Sequence, residues 1–444
     1  MKPKHIVVVD GLWAGHHPTY IKVFAKLLVD AGYQVTVLCP EPREVESWVR
    51  YASTAEAERF TGHVFSEQVN TLLGYMPSRL RNAFQSLDRW RQIAQTVRSV
   101  CSVHGNPDLV FFAWLDSYLT GYLPVTLIDR LFPFAWSGLY FHPRHLRVSG
   151  GEGKPRTGWF ALPDQFLARS KWATSVAVLD SGVLNVMRDR LSSKPVVTLP
   201  DFTDEVPPSE HSPLVAEIRA KARGRKIIGL LGGLERRKGL LTLIRIAGRS
   251  TKPDWYFVFA GVLREETFSG RDLAEVQTFF SAQREDSFFH LNRIPDDAQF
   301  NAIVKACDVI FAVYEDFPHS SNLITKAALF GKSILVSRGG YMEEVVRSYG
   351  LGECVSAGDV QSVSSALCRL INLSGSDDRK SNARQYAQEQ SQERLRSALI
   401  DLVESSTAST DAGGNGIVGP RLKCNNTCAV ETEKRLVIAE NQGL

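Results

Sequence analysis

Two successive series of short, continuous apolar runs, each run followed by a stretch of helical period, constrain this chain most. "HIVVVD" opens the first series, a β-branched run without polar alternation, the pattern of a strand buried on both faces. "IKVFAKLLVDAGYQ" comes next, with Val23, Phe24, Leu27, Leu28 and Ala31 at helical spacing and Gly32 as a stop, then "VTVLCP" as another strand. Strand, helix and strand in that order build a parallel sheet with helices on its faces. "DLVFFAWL", "FAWSGLYF", "TSVAVLD" and "PVVTLP" extend the series, so a first Rossmann-like domain is expected over residues 1–200, with 43–105 mostly helical. "KIIGLLGG", "WYFVFAG", "SFFHL", "DVIFAVY" and "SILVS" form the second series and place a second such domain over 223–375. Between them "DFTDEVPPSEHSP" is rich in Pro and acid and lacks periodicity, so 201–222 reads as a linker. Residues 376–404 read as a closing helix, and 405–444, small and polar, as a disordered tail. The fold class expected is α/β, with two consecutive doubly wound domains.

Composition excludes several functions. A chain of 444 residues exceeds one ordinary core, which agrees with two domains. A net charge of +4 is too mild for the concentrated basic surface of a nucleic-acid binder, so no nucleic-acid partner is expected. The seven cysteines include no C-x-x-C pair, so neither a zinc site nor a disulfide framework is indicated, and a reducing compartment fits. No secretory h-region and no run of about 20 apolar residues is visible, which points to the cytoplasm. Leu80, Phe84, Leu87, Ala94 and Val97 make one helical stripe with Arg79, Arg81, Arg89 and Arg91 around it. That region could rest peripherally on the inner face of an anionic membrane, although a solvated helix face is the simpler reading.

In open α/β sheets, ligands sit at the loops beyond the carboxyl ends of the strands. Three such loops carry chemistry. "LLGGLERRKGLLTLIRIA" puts Arg236, Arg237 and Lys238 where a helix begins, after Gly233. Cations there oppose the helix dipole, and a bound anion would remove the conflict; a solvated basic turn is the plainer alternative. "YEDFPHSSNLITKAALFGKSILVS" follows a strand and enters a helix with Ser320 or Ser321 as N-cap and Gly331 as stop. One serine suffices for a cap, so the second serine, His319 and Asn322 are surplus donors that suit phosphate oxygens, while Glu315 could accept from sugar hydroxyls. The alternative is an elaborate cap with a surface His. "RGGYMEEVV" repeats the arrangement: Gly339 and Gly340 permit close backbone approach to a ligand, and Glu343 or Glu344 enters the next helix, one of them as a favourable helix-start charge. In the first domain "DGLWAGHHPTY" lacks the dinucleotide G-x-G-x-x-G pattern. Gly15, His16 and His17 instead give a small-residue approach to a helix start, where a histidine contacts substrate or merely caps and packs. Adjacent histidines are poorly spaced for shared metal ligation. His142, in "LYFHPRH", lies on the same rim.

These motifs, in this order over residues 5 to 400, resemble the retaining glycosyltransferases of GT-B fold and family 4 type. "GGLERRKG" is similar to that family's G-x-L-x-x-x-K-G loop, the 314–337 stretch to its sugar-nucleotide motif, and "GGYMEEVV" to its G-G-x-x-E turn. The resemblance implies two domains facing across a cleft, the second holding a nucleotide-diphosphate-sugar as donor substrate, the first a saccharide or lipid-linked acceptor, with no cofactor and no metal. Lys238 would match the diphosphate lysine with Arg237 assisting, and the Ser320, Ser321 and Asn322 turn would face the phosphates. Glu315 would be the first Glu of the paired-Glu motif, contacting the transferred sugar; His142 is a candidate active-site residue from its place at the end of a buried strand alone. Two positions depart: Gly233 stands where the family usually has Arg, and Lys326 where its second Glu binds ribose, after a longer loop. These departures favour a rival, a non-catalytic subunit that binds a sugar nucleotide or a partner transferase. A GT-B sugar-nucleotide epimerase is a second rival, lacking acid/base carboxylates beyond Glu315.

Overall fold

The computed structural model describes residues 3–52, 57–67, 78–119, 123–143, 145–147, 162–250, 252–372 and 377–412. Its first sheet contains β1 (His5–Val9), β2 (Gln34–Cys39), β3 (Phe60–Val64), β4 (Leu109–Phe112), β5 (Trp136–Tyr140), β6 (Val176–Val178) and β7 (Val196–Thr198). They run in the order β3-β2-β1-β4-β5-β6-β7, every neighbour parallel. Ile6 pairs with Val35 on one side and Leu109 on the other, so β1 is central. Along it Ile6 and Val8 feed the core on one face while Val7 and Val9 feed the other, which is why the run shows no polar alternation.

The second sheet contains β8 (Lys226–Leu231), β9 (Trp255–Ala260), β10 (Ser287–His290), β11 (Val309–Ala312), β12 (Ser333–Ser337) and β13 (Gly352–Val355). Its order is β10-β9-β8-β11-β12-β13, again all parallel. Ile228 and Leu230 enter one core layer and Ile227 and Leu231 the other. In each sheet the strand order reverses beside the first strand, between β1 and β4 and between β8 and β11. Crevices of this kind are where doubly wound folds bind ligands.

Four local expectations need correction. Within the stretch expected as a linker, Asp201, Phe202, Thr203 and Asp204 are buried, and Pro213–Ala222 is a helix. That helix is started by Ser212, whose hydroxyl accepts from the Val215 amide at 3.4 Å, and Val215, Ile218 and Ala222 pack into the second core. The single closing helix is two helices. Asp377–Glu389 packs Ala383 and Tyr386 into the second domain, and Gln392–Ala412 returns Leu395, Leu399, Leu402 and Val403 to the first. Residues 405–412 of the expected tail are therefore helical, and 413–444 lie outside the described residues. The mostly helical stretch 43–105 also contains β3, an edge strand whose residues are mostly half-buried and so left no apolar run.

The stripe on the helix Ser78–His104 divides. Ala94 and Val97 are in the core, whereas Leu80 and Phe84 are about half exposed.

Candidate active site between the two domains

The loop after β8 and the loop after β11 meet at the second sheet's reversal point. Arg236–Lys238 is one tight helical turn rather than the start of the following helix, Leu240–Arg249. The Lys238 ammonium lies over the Gly232–Gly233 turn, 3.3 Å from where a Cβ on Gly232 would stand and 3.9 Å from one on Gly233. A longer residue at 233 would contend for that space. Arg236 pairs with Asp272 at 2.5 Å and Arg237 with Glu235 at 2.5 Å. Lys238 has no carboxylate partner among the described residues. The Arg237 guanidinium stands over the rings of Phe317, at 4.7 Å, and Tyr314, at 5.6 Å, which fixes its plane. Glu315 joins the two loops: its amide donates to the Arg237 carbonyl at 2.7 Å, and its carboxylate lies 3.9 Å from Arg236 Nε. Partial burial raises the Glu315 pKa, and Arg236 acts against that rise.

The polar turn 319–322 divides its donors. Ser321 holds the N-cap position of the helix Asn322–Leu329 without a side-chain cap bond, so its hydroxyl is not used on that helix. Its Oγ lies 3.4 Å from the Tyr314 hydroxyl. Ser320 is buried and donates to Asp201 in the crossover between domains, so the phosphate contact expected of it would require that bond to break. Asp201 also accepts from the Tyr20 hydroxyl at 3.2 Å. Burial pushes its pKa up to about 6, against the hydrogen bonds from Ser320 and Tyr20. Lys326 is buried too, paired with Asp204 and donating to Asn301 Oδ1 at 2.7 Å, while Asn301 donates to Asp204 at 2.7 Å. It ties the helix to the crossover; it does not face the cleft as a ribose-binding carboxylate would.

Gly340 approaches protein, where a ligand was expected. A Cβ there would lie 2.7 Å from Pro318 Cα, and the Tyr341 amide donates to the Pro318 carbonyl at 3.0 Å. Glu343 takes the helix-start role, accepting from the Gly339 amide at 2.7 Å. Glu344 is held by Arg147 of the first domain, at 2.5 and 2.8 Å.

From the first domain, the loop after β1 brings His16 opposite the 319–322 turn, with Asn322 Nδ2 3.4 Å from His16 Nδ1. His16 keeps an exposed surface toward the cleft, although protein from both domains crowds its surroundings. That enclosure, with the charges of Lys238, Lys326 and His17, lowers its pKa to about 4, so the ring is neutral. Gly15, at φ +63, turns the chain into the helix and is open to solvent. His17 points elsewhere: its Nδ1 is 2.8 Å from Asp10 and its ring lies 4.3 Å from that of Trp114. It packs and holds the loop. His142, beyond β5, has its amide and that of Phe141 bound by Asp116 at 2.8 and 2.7 Å, and its ring meets His319 at 4.8 Å and Phe317 at 5.9 Å. The structure thus gathers His16, His142, Arg237, Lys238, Glu315, Ser321 and Asn322 around one interdomain space, and draws His17, Ser320, Gly340 and Glu344 into protein contacts.

Asp10, Arg147, Asp201 and Phe317 organise this space and escaped sequence reasoning. Asp10 directly follows a buried strand, a position that marks rim residues; the other three sit in aperiodic segments with no local signal.

Residues 215–390 match the family model of glycosyl transferases group 1, a span that includes the whole second sheet. No curated protein matches the chain by sequence. Among solved structures, sucrose-phosphate synthase from Thermosynechococcus elongatus superposes with a TM-score of 0.63 at 15% identity, covering 91% of this chain and 100% of that one. Anabaena HepE in complex with UDP-glucose gives 0.60 at 14%, covering 90% and 99%. The trehalose-6-phosphate structure from E. coli bound with UDP-2-fluoro glucose gives 0.64 at 11%, covering 90% and 99%. At such identities the likeness is one of fold, the GT-B arrangement of two doubly wound domains.

Proposed function

Taking residues 215–390 as a glycosyl transferases group 1 domain within a GT-B fold, we propose that the protein transfers a sugar from a nucleotide-diphosphate-sugar to a saccharide or lipid-linked acceptor, with retention at the anomeric carbon. One observation carries this reading. Lys238 lies over the glycine turn at the second sheet's reversal point with no carboxylate partner among the described residues, while beside it Arg236 has two and Arg237 one. An unneutralised ammonium 5.9 Å from the Tyr314 ring and neighbouring a neutral histidine suits a diphosphate.

In the reaction, the bond from the anomeric carbon to the diphosphate oxygen breaks and the acceptor oxygen bonds the same face. The acceptor proton passes to the departing phosphate oxygen. Lys238 and Arg237 hold the charge that develops there, a contribution of about 2.7–4 kcal/mol per well-placed donor. Asn322 and Ser321, at the start of their helix, supply further hydrogen bonds to phosphate. Glu315 accepts from hydroxyls of the transferred sugar, and His142 lines the sugar's other side. Neither a cofactor nor a metal enters this scheme, since the protein's own cations balance the leaving group. Closure of the two domains excludes water as a competing acceptor.

A cytoplasmic enzyme of polysaccharide biosynthesis fits this reading. No helix among the described residues is long and apolar enough to cross a membrane. For a lipid-linked acceptor, exposed Leu80 and Phe84 beside Arg81 and Arg91 supply a peripheral contact.

The experiment is a panel of UDP-, GDP- and ADP-sugars, read for slow nucleotide release and then for transfer to candidate acceptors. UDP-sugars come first, since two of the similar structures hold them. Tight binding without turnover on any acceptor supports the second reading, a non-catalytic sugar-nucleotide-binding subunit, which the burial of Lys326 in an ion pair favours.

A further inference from the structure

Arg147 belongs to the first domain, yet half of its hydrogen bonds go to the second. Its Nε and Nη2 donate to the two oxygens of Asp180 at 2.6 Å each, and Asp180, at the end of β6, is buried. The other edge of the guanidinium donates to both oxygens of Glu344, at 2.5 and 2.8 Å, on the helix Tyr341–Tyr349 of the second domain. The contact is built around. A Cβ on Gly182 would stand 2.0 Å from Arg147 Nη2 and 2.9 Å from Glu344 Oε2, so a larger residue at 182 would push the tips of the pair out of this arrangement. Tyr341, one turn earlier on the same helix, places its ring 5.7 Å from Arg147 Cζ and its hydroxyl 3.5 Å from Ser181 Oγ.

We infer that Arg147 is a positioning residue, a latch that holds the two domains in their closed arrangement through Glu344. Asp180 fixes the guanidinium before Glu344 arrives, so little side-chain freedom is lost in the interdomain step, and the planar fork matches both carboxylates at once. Closed, the arrangement sets His16 against Asn322 and His142 against His319. The consequence for turnover rests on the transferase reading; the latch itself does not. Where a competent state is only partly populated, apparent affinity falls in proportion. Glu344 is about half exposed, so added salt also weakens the pair.

Small-angle X-ray scattering of the ligand-free protein tests the latch, with Glu344→Gln, which leaves Arg147 bound to Asp180, and Gly182→Val, which removes no charge. Both variants should scatter with a larger radius of gyration than wild type, and wild type should expand similarly in 1 M salt. Unchanged scattering in both variants overturns the inference. With a donor in hand, the same variants should raise donor KM about fivefold and leave kcat nearly intact. Loss of kcat at unchanged KM would instead make Glu344 a participant in the chemistry and overturn the positioning role. If no nucleotide sugar binds wild type, the transferase reading fails while scattering still decides the latch.

Discussion

Asn322 Nδ2 lies 3.4 Å from His16 Nδ1, and this contact joins the first loop of one domain to a helix start of the other. Enclosure between the domains, then the charges of Lys238, Lys326 and His17, hold the His16 pKa down to about 4. NMR titration of His16 should therefore show a midpoint near 4. Below the unfolded value of 6.5 the unfolded state takes up a proton that folded His16 refuses, so its contribution to stability is lost as pH falls from 6.5 toward 4. A midpoint near 6.5 would mean that the walls around His16 are not there.

Asp201 has the opposite sign. Its folded pKa, about 6, exceeds the ordinary 3.8, so the folded state binds the extra proton. Its contribution is fully present below pH 3.8 and is lost as pH rises through 6, by about 3 kcal/mol. Urea unfolding at pH 4 and pH 6.5 should show Asp201→Asn gaining on wild type across that interval. Parallel pH profiles would contradict the buried assignment.

Lys326 departs from the resemblance, and the structure gives it a mechanical role. Lys326→Met leaves Asp204 buried without its cation and should cost about 3–5 kcal/mol in urea unfolding. Adding Asp204→Leu should recover most of that loss. A single variant as stable as wild type would place Lys326 in the solvent of the cleft.

Gly340→Ala pushes a methyl to 2.7 Å from Pro318 Cα. The loop carrying Phe317 and His319 must shift, at about 1–3 kcal/mol. A variant that keeps its melting temperature would show that the loop and the helix Tyr341–Tyr349 do not touch.

Much of this was legible in the residues. Runs such as "HIVVVD" and "DVIFAVY" are buried on both faces, so their apolar character is continuous and the central strands read plainly. The edge strands β3 and β13 are half-wetted and carry no such signal. Lys238, Glu315 and Asn322 are legible as site residues because strand–loop–helix order fixes where rims lie. Whether a rim side chain faces ligand or protein depends on what arrives from the other domain. Sequence leaves Ser320 a surplus donor or cap and Glu344 a charge at a helix start, because Asp201 and Arg147, more than a hundred residues away, leave no local trace.

The central claim is that a diphosphate docks against Lys238. Calorimetric titration of the nucleotide-sugar panel into wild type and Lys238→Ala tests it most directly. One donor should bind wild type and weaken at least tenfold in the variant, whose melting temperature should hold because Lys238 pairs with no carboxylate among the described residues. Equal binding by both proteins, or none by wild type, would contradict the account.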